Sequence, residues 1–330
     1  MSLPVGREGA GVGLPSTGPL TARTGAAGTW WSCCAAGMSM PWRTVFPRRP
    51  DAELLGSITN AGLPPARATV RLTALVHGVR PAQAYGVIEG ALRPPTVAIA
   101  MTSFLVEHPE ARFLVDPAMC ADAHTRVLPR LRRPYRGLVA PRKPFVGLGD
   151  SLAMSAIPVD AVDFAIATHI HWDHVAGLLD LPASLALRAT TAELAWATNP
   201  ATAPIGVAES LGSRPTPSFD LDGPPVLTFP RSHDFFGDGS VLAVDLSGHT
   251  PGSIGLVLAV RGGGTVLLAG DAVWRREQIA LLRERPPLPG LLVDHDRSAA
   301  FAAIHRLYRL PAGIEVIPAH DYAAAKRWAP

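Results

Sequence analysis

Apolar residues in this chain gather into short runs that end on histidine, aspartate or glycine, and the ends carry more information than the runs. Residues 162–167, Val-Asp-Phe-Ala-Ile-Ala, read as a short strand. The runs at 69–76, 96–101, 241–246, 266–270 and 314–319 read the same way. Gly237-Asp238-Gly239 has the look of a hairpin turn before the run at 241, and Arg261 to Thr265, with three glycines, makes another between apolar strands. Triple glycine invites a phosphate-loop reading, but the lysine and hydroxyl residue of that motif are missing, so a hairpin is expected. Helical spacing is sparser. It covers Thr191 to Thr198 and Ser298 to Leu310, where Phe301, Ile304, Leu307 and Tyr308 form a stripe expected to face the core. Strands and helices mix, with no internal repeat.

Upstream the pattern dissolves. The first forty residues are rich in Gly, Ala, Ser and Thr, with Trp30-Trp31-Ser32-Cys33-Cys34 as the one apolar knot; residues 1–40 are expected to be disordered. They lack the charged start and unbroken apolar core of a secretion signal. Translation from Met38 or Met40 is a hypothesis that fits this pattern, and intact mass showing Met1 or Ser2 at the native amino terminus would remove it. Prolines at 41, 47, 50, 64 and 65 predict an extended lead-in over 41–65, followed by a single catalytic domain over 66–330.

Composition narrows the class. Hydrophobic residues make up 48% and charged residues 17%, a globular balance, and no apolar stretch is long enough to span a membrane. The net charge of +3 and the pI near 9.0 reflect arginine, since Lys143 and Lys326 are the only lysines. Cys33, Cys34 and Cys120 offer neither a disulfide framework nor a C-x-x-C zinc spacing, which fits a reducing, cytoplasmic setting. Arg126, Arg130, Arg132, Arg133, Arg136, Arg142 and Lys143 form a basic stretch without an acidic residue. With Tyr135 as its only ring it makes a poor stacking platform, so a solvated face is expected and nucleic acid is disfavoured.

The densest chemistry is Thr168-His169-Ile170-His171-Trp172-Asp173-His174. Alternation at the end of the 162–167 strand points His169 and His171 to one side, where a single metal can take both. Asp173 and His174 fall where the chain turns, able to face a second metal beside the first. Four side chains do not fill two coordination spheres, so more ligands are expected at later strand ends. His249 follows the 241–246 run, Asp271 ends the 266–270 run, and His320 follows 314–319. Imidazole and carboxylate donors without thiolate suit zinc, with manganese or iron as alternatives.

The H-x-H-x-D-H run, the G-H-T-P-G turn at 248–252, the Gly270-Asp271 pair and Pro318-Ala319-His320-Asp321 together resemble the metallo-β-lactamase superfamily over about residues 66–325. The resemblance implies an αββα sandwich with a dimetal site at one edge of the sheets. It assigns His169, His171 and His249 to one metal, Asp173, His174 and His320 to the other, and Asp271 to both. Residues 101–116 resemble the family's early hairpin, closing on a supporting aspartate, Asp116. A hydroxide bridging the two ions would be the nucleophile, with Asp173 or Asp271 carrying the proton to the leaving group.

Within the family, the layout looks most like N-acyl homoserine lactonases and related esterases acting on a small-molecule lactone or ester. Three departures stand out: Trp274 where those lactonases usually carry tyrosine, Ser253 after the G-H-T-P-G turn, and Pro117-Ala118 after Asp116. A phosphodiesterase or nuclease of the same superfamily is the alternative substrate class, and a non-catalytic metal-binding protein the alternative to an enzyme. Trp172, Phe235, Phe236 and Trp274 are expected to line an apolar approach, shaped by Pro-rich loops at 199–234 and 275–290.

Overall fold

Side chains alternate along the strands so that both faces of each sheet are buried, and this sorts the interior into layers. The structure is a computed structural model that describes residues 26–131 and 133–330. One sheet runs in the order β1 (Arg71–Gln83), β2 (Thr96–Glu107), β3 (Arg112–Val115), β4 (Phe164–Ile166), β5 (Ala186–Thr190) and β6 (Ser218–Phe219). Its first three strands are antiparallel neighbours, whereas β3 to β6 are parallel. The second sheet contains β7 (Ser232–Asp234), β8 (Val241–Asp245), β9 (Ile254–Ala259), β10 (Thr265–Gly270) and β11 (Ile314–Pro318). β7 to β10 pair antiparallel in sequence order, and β11 pairs parallel to β10.

Phe104, Val106, Phe113, Val115 and Ile166 of the first sheet meet Ile254, Leu256, Leu258, Val266 and Leu268 of the second in one buried cluster. The intervening positions face outward: Leu105, Leu114 and Leu187 pack under Leu128, Leu152 and Trp172. On the other side Val257 and Leu267 pack under Phe301, Ile304 and Leu307 of the helix Arg297–Tyr308. The result is an αββα sandwich, and burial on both faces explains why its strands read as near-continuous apolar runs. Both expected hairpins are present, β7–β8 and β9–β10, as is the helix Thr191–Thr198.

The amino-terminal reading is corrected in part. A helix occupies Ala26–Val45, through Pro41, and a short one Ala52–Ser57, so disorder does not extend over 26–40 and the 41–65 lead-in is extended only in part. Residues 1–25 lie outside the described residues. Local propensity does not explain this helix; docking does. It packs against the helix Pro287–Val293. Arg43 reaches Glu89 at 2.6 Å and Glu284 at 3.0 Å, and Arg48 and Arg297 also pair with Glu284. Glu89 and Glu284 are buried, so the helix is held by charges from sequence positions far away. Among the described residues no helix is long and apolar enough to cross a membrane.

Candidate metal centre

Strand ends of both sheets deliver the polar residues to one edge. The segment after β4 carries His169, His171, Asp173 and His174; the turn after β8 carries His249; Asp271 directly follows β10, and His320 lies two residues past β11. The turn at 248–252 has little freedom. Gly248 adopts φ +135°, and a Cβ there would lie 2.2 Å from the Ala300 backbone; one on Gly252 would meet Thr190 Oγ1 at 2.3 Å. These positions are glycine because two elements cross there with no room for a side chain.

The seven residues converge. His171 Nδ1 lies 3.0 Å from His249 Nε2, and His249 Nε2 lies 3.5 Å from Asp271 Oδ2. Asp271 Oδ1 lies 3.4 Å from His174 Nε2 and 3.2 Å from His320 Nε2, which is 3.7 Å from Asp173 Oδ2. Candidate ligand atoms of His169, His171 and His249 lie within 4.8 Å of one another, and so do those of Asp173, His174 and His320.

Whether this set fits metal is decided by its outer bonds. His320 Nδ1 donates to the Ala100 carbonyl at 2.7 Å, which leaves a lone pair on Nε2 facing inward. His174 Nδ1 faces Asp116 at 2.9 Å, and His249 Nδ1 faces Asp294 at 3.0 Å, with the same consequence. Each imidazole is thus oriented by an acceptor behind it, as metal-binding histidines are. Inside the cluster, His169 Nε2, His171 Nε2, His174 Nε2 and Asp271 Oδ1 are buried without a hydrogen-bond partner among the described residues. Unsatisfied buried polar atoms gathered in one cluster are costly unless an ion takes them.

Electrostatics agree. Burial first, then the neighbouring histidines, push His169 and His171 well below the usual imidazole range. Burial also disfavours charge on His174, yet Asp116 and Asp271 overcome it and raise that imidazole well above its usual range. His320 is raised against burial by Asp271 and Asp173, while Asp271 is held well below the carboxylate range, against burial, by His320 and His174. A carboxylate-bearing side that demands positive charge beside imidazoles that refuse protons is matched by dications.

Several supporting residues escaped the sequence reading. Glu193 is fully buried and binds Ile170 N, Thr250 Oγ1 and Gly252 N, tying the H-x-H-x-D-H segment to the G-H-T-P-G turn. Burial raises its carboxyl to about 7 against those three bonds. Asp294, behind His249, is paired with the buried Arg285 at 2.7 Å, and Arg285 also donates to the Asp271 carbonyl and lies 4.8 Å over the Trp274 ring. The only local signal was the polar Asp294-His295-Asp296 triplet after an apolar run. Asp116 reads as expected in position: it accepts from Thr168 N and Thr168 Oγ1 as well as facing His174.

An apolar cavity of about 400 Å³ opens on this centre, with Asp173, His320 and Trp274 in its lining. Met40, Val87, Ile99, Phe145, Leu288 and Val293 form much of its wall. Trp274 Nε1 donates to Asp271 Oδ2 at 2.7 Å, so its indole is engaged with a candidate ligand. The other expected pocket residues are corrected. Phe236 stacks on His108 with centroids 3.8 Å apart, and Phe235 sits edge-on to Phe219; both pack on the intersheet core because their hairpin folds over it. Trp172 is a fully buried core residue. Residues 199–234 contribute nothing to the cavity lining, whereas the segment after Asp271 contributes Leu288 and Pro289. Arg126 and Arg130 of the basic stretch pair with Glu209, and Arg142 lines the cavity; Arg132 lies outside the described residues.

Known structures repeat this layout at low identity. A quorum-quenching N-acyl homoserine lactone lactonase is 16% identical with a TM-score of 0.57, over 80% of this chain and 96% of that one. An N-acyl homoserine lactone hydrolase, with N-hexanoyl-L-homoserine bound at its catalytic metal centre, is 18% identical with a TM-score of 0.58, over 78% and 96%. AidC, a dizinc quorum-quenching lactonase, is 15% identical with a TM-score of 0.52, over 78% and 90%. At these identities the likeness is one of fold. No curated protein matches by sequence. The sequence model of the metallo-beta-lactamase superfamily matches residues 100–320, a span that includes all seven convergent side chains, and the chain belongs to that superfamily.

Proposed function

We propose that this protein is a metal-dependent hydrolase that opens a lactone or cleaves a carboxylic ester. The observation that carries the reading is a junction: Asp173 and His320, members of a cluster whose buried imidazole nitrogens lack protein partners, line an apolar cavity of substrate size. His169, His171 and His249 would hold one divalent ion, Asp173, His174 and His320 the other, and Asp271 would touch both. Zinc suits these donors best, with manganese or iron as alternatives. Such a pair supplies Lewis acidity toward a carbonyl and water acidic enough to attack at neutral pH.

The chain's own residues do the rest. Asp116, Asp294 and the Ala100 carbonyl fix the rings of His174, His249 and His320, and the Trp274 indole fixes one oxygen of Asp271. Asp173, 17% exposed against 5% for Asp271, faces the cavity and is placed to pass a proton to the departing oxygen. The apolar wall excludes water from an acyl chain or aryl group. That wall favours a carbonyl substrate over a phosphodiester, and Glu209 occupies two of the arginines that would otherwise track a phosphate backbone. Lactonases of similar fold support the same substrate class. Free Cys33, Cys34 and Cys120 suit a reducing, cytoplasmic setting.

The test is proton release by metal-loaded protein against homoserine lactones, aryl esters, a thioester and a phosphodiester, with a chelated control. Chelator-sensitive turnover of a lactone or ester is expected. Turnover confined to the phosphodiester, or none with two equivalents of metal bound, overturns the reading.

A further inference from the structure

Most partly buried arginines among the described residues have partners. Arg285 pairs with Asp294; Arg43, Arg48 and Arg297 share Glu89 and Glu284; Arg275 pairs with Glu277 and Asp321; Arg214 donates to the carbonyls of Leu178, Leu185 and Ser210. Arg80, on β1, is half-buried and lines the cavity, yet among the described residues it has no ion pair and no side-chain hydrogen bond. Arg142 also lines the cavity, exposed and equally unpaired. Two guanidinium groups therefore face one largely apolar chamber.

The charge balance sharpens the point. Burial and then the like charge of Arg142 work against the Arg80 cation, and Asp173 is the carboxylate that favours it. Asp173 is also a candidate metal ligand, and a carboxylate bound to a dication has little charge left for a guanidinium beside it. With the metal centre filled, Asp173 would offset Arg80 and Arg142 less, and no other carboxylate lines the chamber among the described residues. Guanidinium groups answer such a deficit by taking an oxyanion, a carboxylate best of all, in two parallel hydrogen bonds.

From this juxtaposition we infer that Arg80 and Arg142 form an oxyanion subsite, and that the substrate is an ester or lactone bearing a second, anionic group on its apolar body. The inference rests on the hydrolase reading for the word substrate, but the subsite itself does not. It separates this protein's substrate class from neutral acyl lactones, because a neutral ligand would leave the half-buried Arg80 covered and unpaired.

Two measurements test it. Metal-loaded full-length protein is offered the 4-nitrophenyl monoester of glutaric acid and its methyl-capped, neutral counterpart. A kcat/KM ratio of tenfold or more in favour of the anion is expected, falling toward one in Arg80→Gln and in Arg142→Gln and partly kept in Arg80→Lys. A ratio near one in the unmodified protein, or a ratio untouched in both glutamine variants, overturns the inference. Calorimetry on the chelator-treated full chain then compares octanoate, octyl sulfate and octanamide. Both anions are expected to bind at least tenfold more tightly than the amide, with octanoate ahead if a carboxylate is the native group and octyl sulfate ahead if a sulfate-like group is. Equal binding of all three overturns the subsite even where esters are cleaved. Anion-selective binding without any ester or lactone turnover upholds the subsite and overturns the hydrolase reading instead.

Discussion

The metal end of the cavity and its opposite wall are built by different rules. At the metal end, seven side chains sit at the ends of strands in a two-sheet sandwich, each within four residues of a regular element. At the wall, Met40 comes from a helix that stays in place because Arg43 and Arg48 find Glu89 and Glu284, partners up to 241 positions away. The first arrangement is preorganised by sheet geometry. The second depends on a few long-range charge contacts, so chemistry and substrate enclosure respond differently to perturbation.

The comparison breaks most visibly if the metal end proves tolerant. Replacing Asp271 with Ala removes the carboxylate nearest His174, His249 and His320. We expect kcat to fall roughly a thousandfold or more, about 4 kcal/mol, since a mispositioned ion forfeits most of its charge stabilisation. Kinetics with metal content measured in parallel checks this, and near-normal turnover at near-normal metal content contradicts it. By contrast, among the described residues Met40 and Leu288 have no hydrogen bond to a candidate ligand, and changes at that wall should move KM before kcat.

Acid should find a second weak point, on the cavity side. His77 is buried, donates from Nδ1 to the Val146 carbonyl and accepts from Ser103 at Nε2; burial lowers it to about 4. A folded-state pKa below the unfolded value means that protons favour unfolding. The stability it contributes is therefore complete above about pH 6.5 and lost as pH falls toward 4, in all about 3 kcal/mol. Urea midpoints followed from pH 7 to 4 should drop steeply in the native chain and less steeply in His77→Gln. His169 and His171 are lowered too, so the difference between the two curves, rather than the native curve alone, isolates His77.

Next in size is the tether of the wall. Glu284 is buried, while its partners Arg43, Arg48 and Arg297 are 28%, 35% and 28% exposed. Removing one partner of a fully buried pair costs about 3–5 kcal/mol; with arginines this accessible to water, Glu284→Gln should cost about 2 kcal/mol. Limited proteolysis should cut faster within 26–50 before the sandwich unfolds. If cleavage there is unchanged, packing alone holds the helix and the comparison weakens.

These contrasts explain what the sequence disclosed. Strand ends and the H-x-H-x-D-H segment were legible because period-two burial and ligand spacing are local properties. The αββα layering came from the family resemblance, since local patterns gave only a mixture of strands and helices. Glu193, Arg285 and Asp294 were not legible: each acts on a ligand segment 14 to 59 residues away, through buried contacts that leave no periodic mark. The helix at 26–45 was hidden for the same reason, since a Gly- and Ala-rich stretch containing Pro41 is ordered by what it docks on. Arg142 reads as part of a solvated face and Arg80 carries no local signal; the cavity brings them together.

Phe236 gives the smallest effect and the sharpest separation between sequence expectation and position. By sequence it belonged to the approach to the metals; in the structure it stacks on His108 and lies 6.1 Å from the Phe113 ring, at the edge of the intersheet core. Phe236→Leu keeps most of the buried apolar area and loses the ring contacts, so the expected cost is about 1 kcal/mol of stability. Because no cavity-lining residue stacks on that ring, kcat and KM for a lactone or ester should stay within twofold of native. A large rise in KM with stability intact would put Phe236 back at the substrate and would mean that the β7–β8 hairpin closes over the cavity during turnover. Unchanged kinetics with a measurable stability loss would leave the substrate wall to β1, the helix at 26–45 and the segment after Asp271.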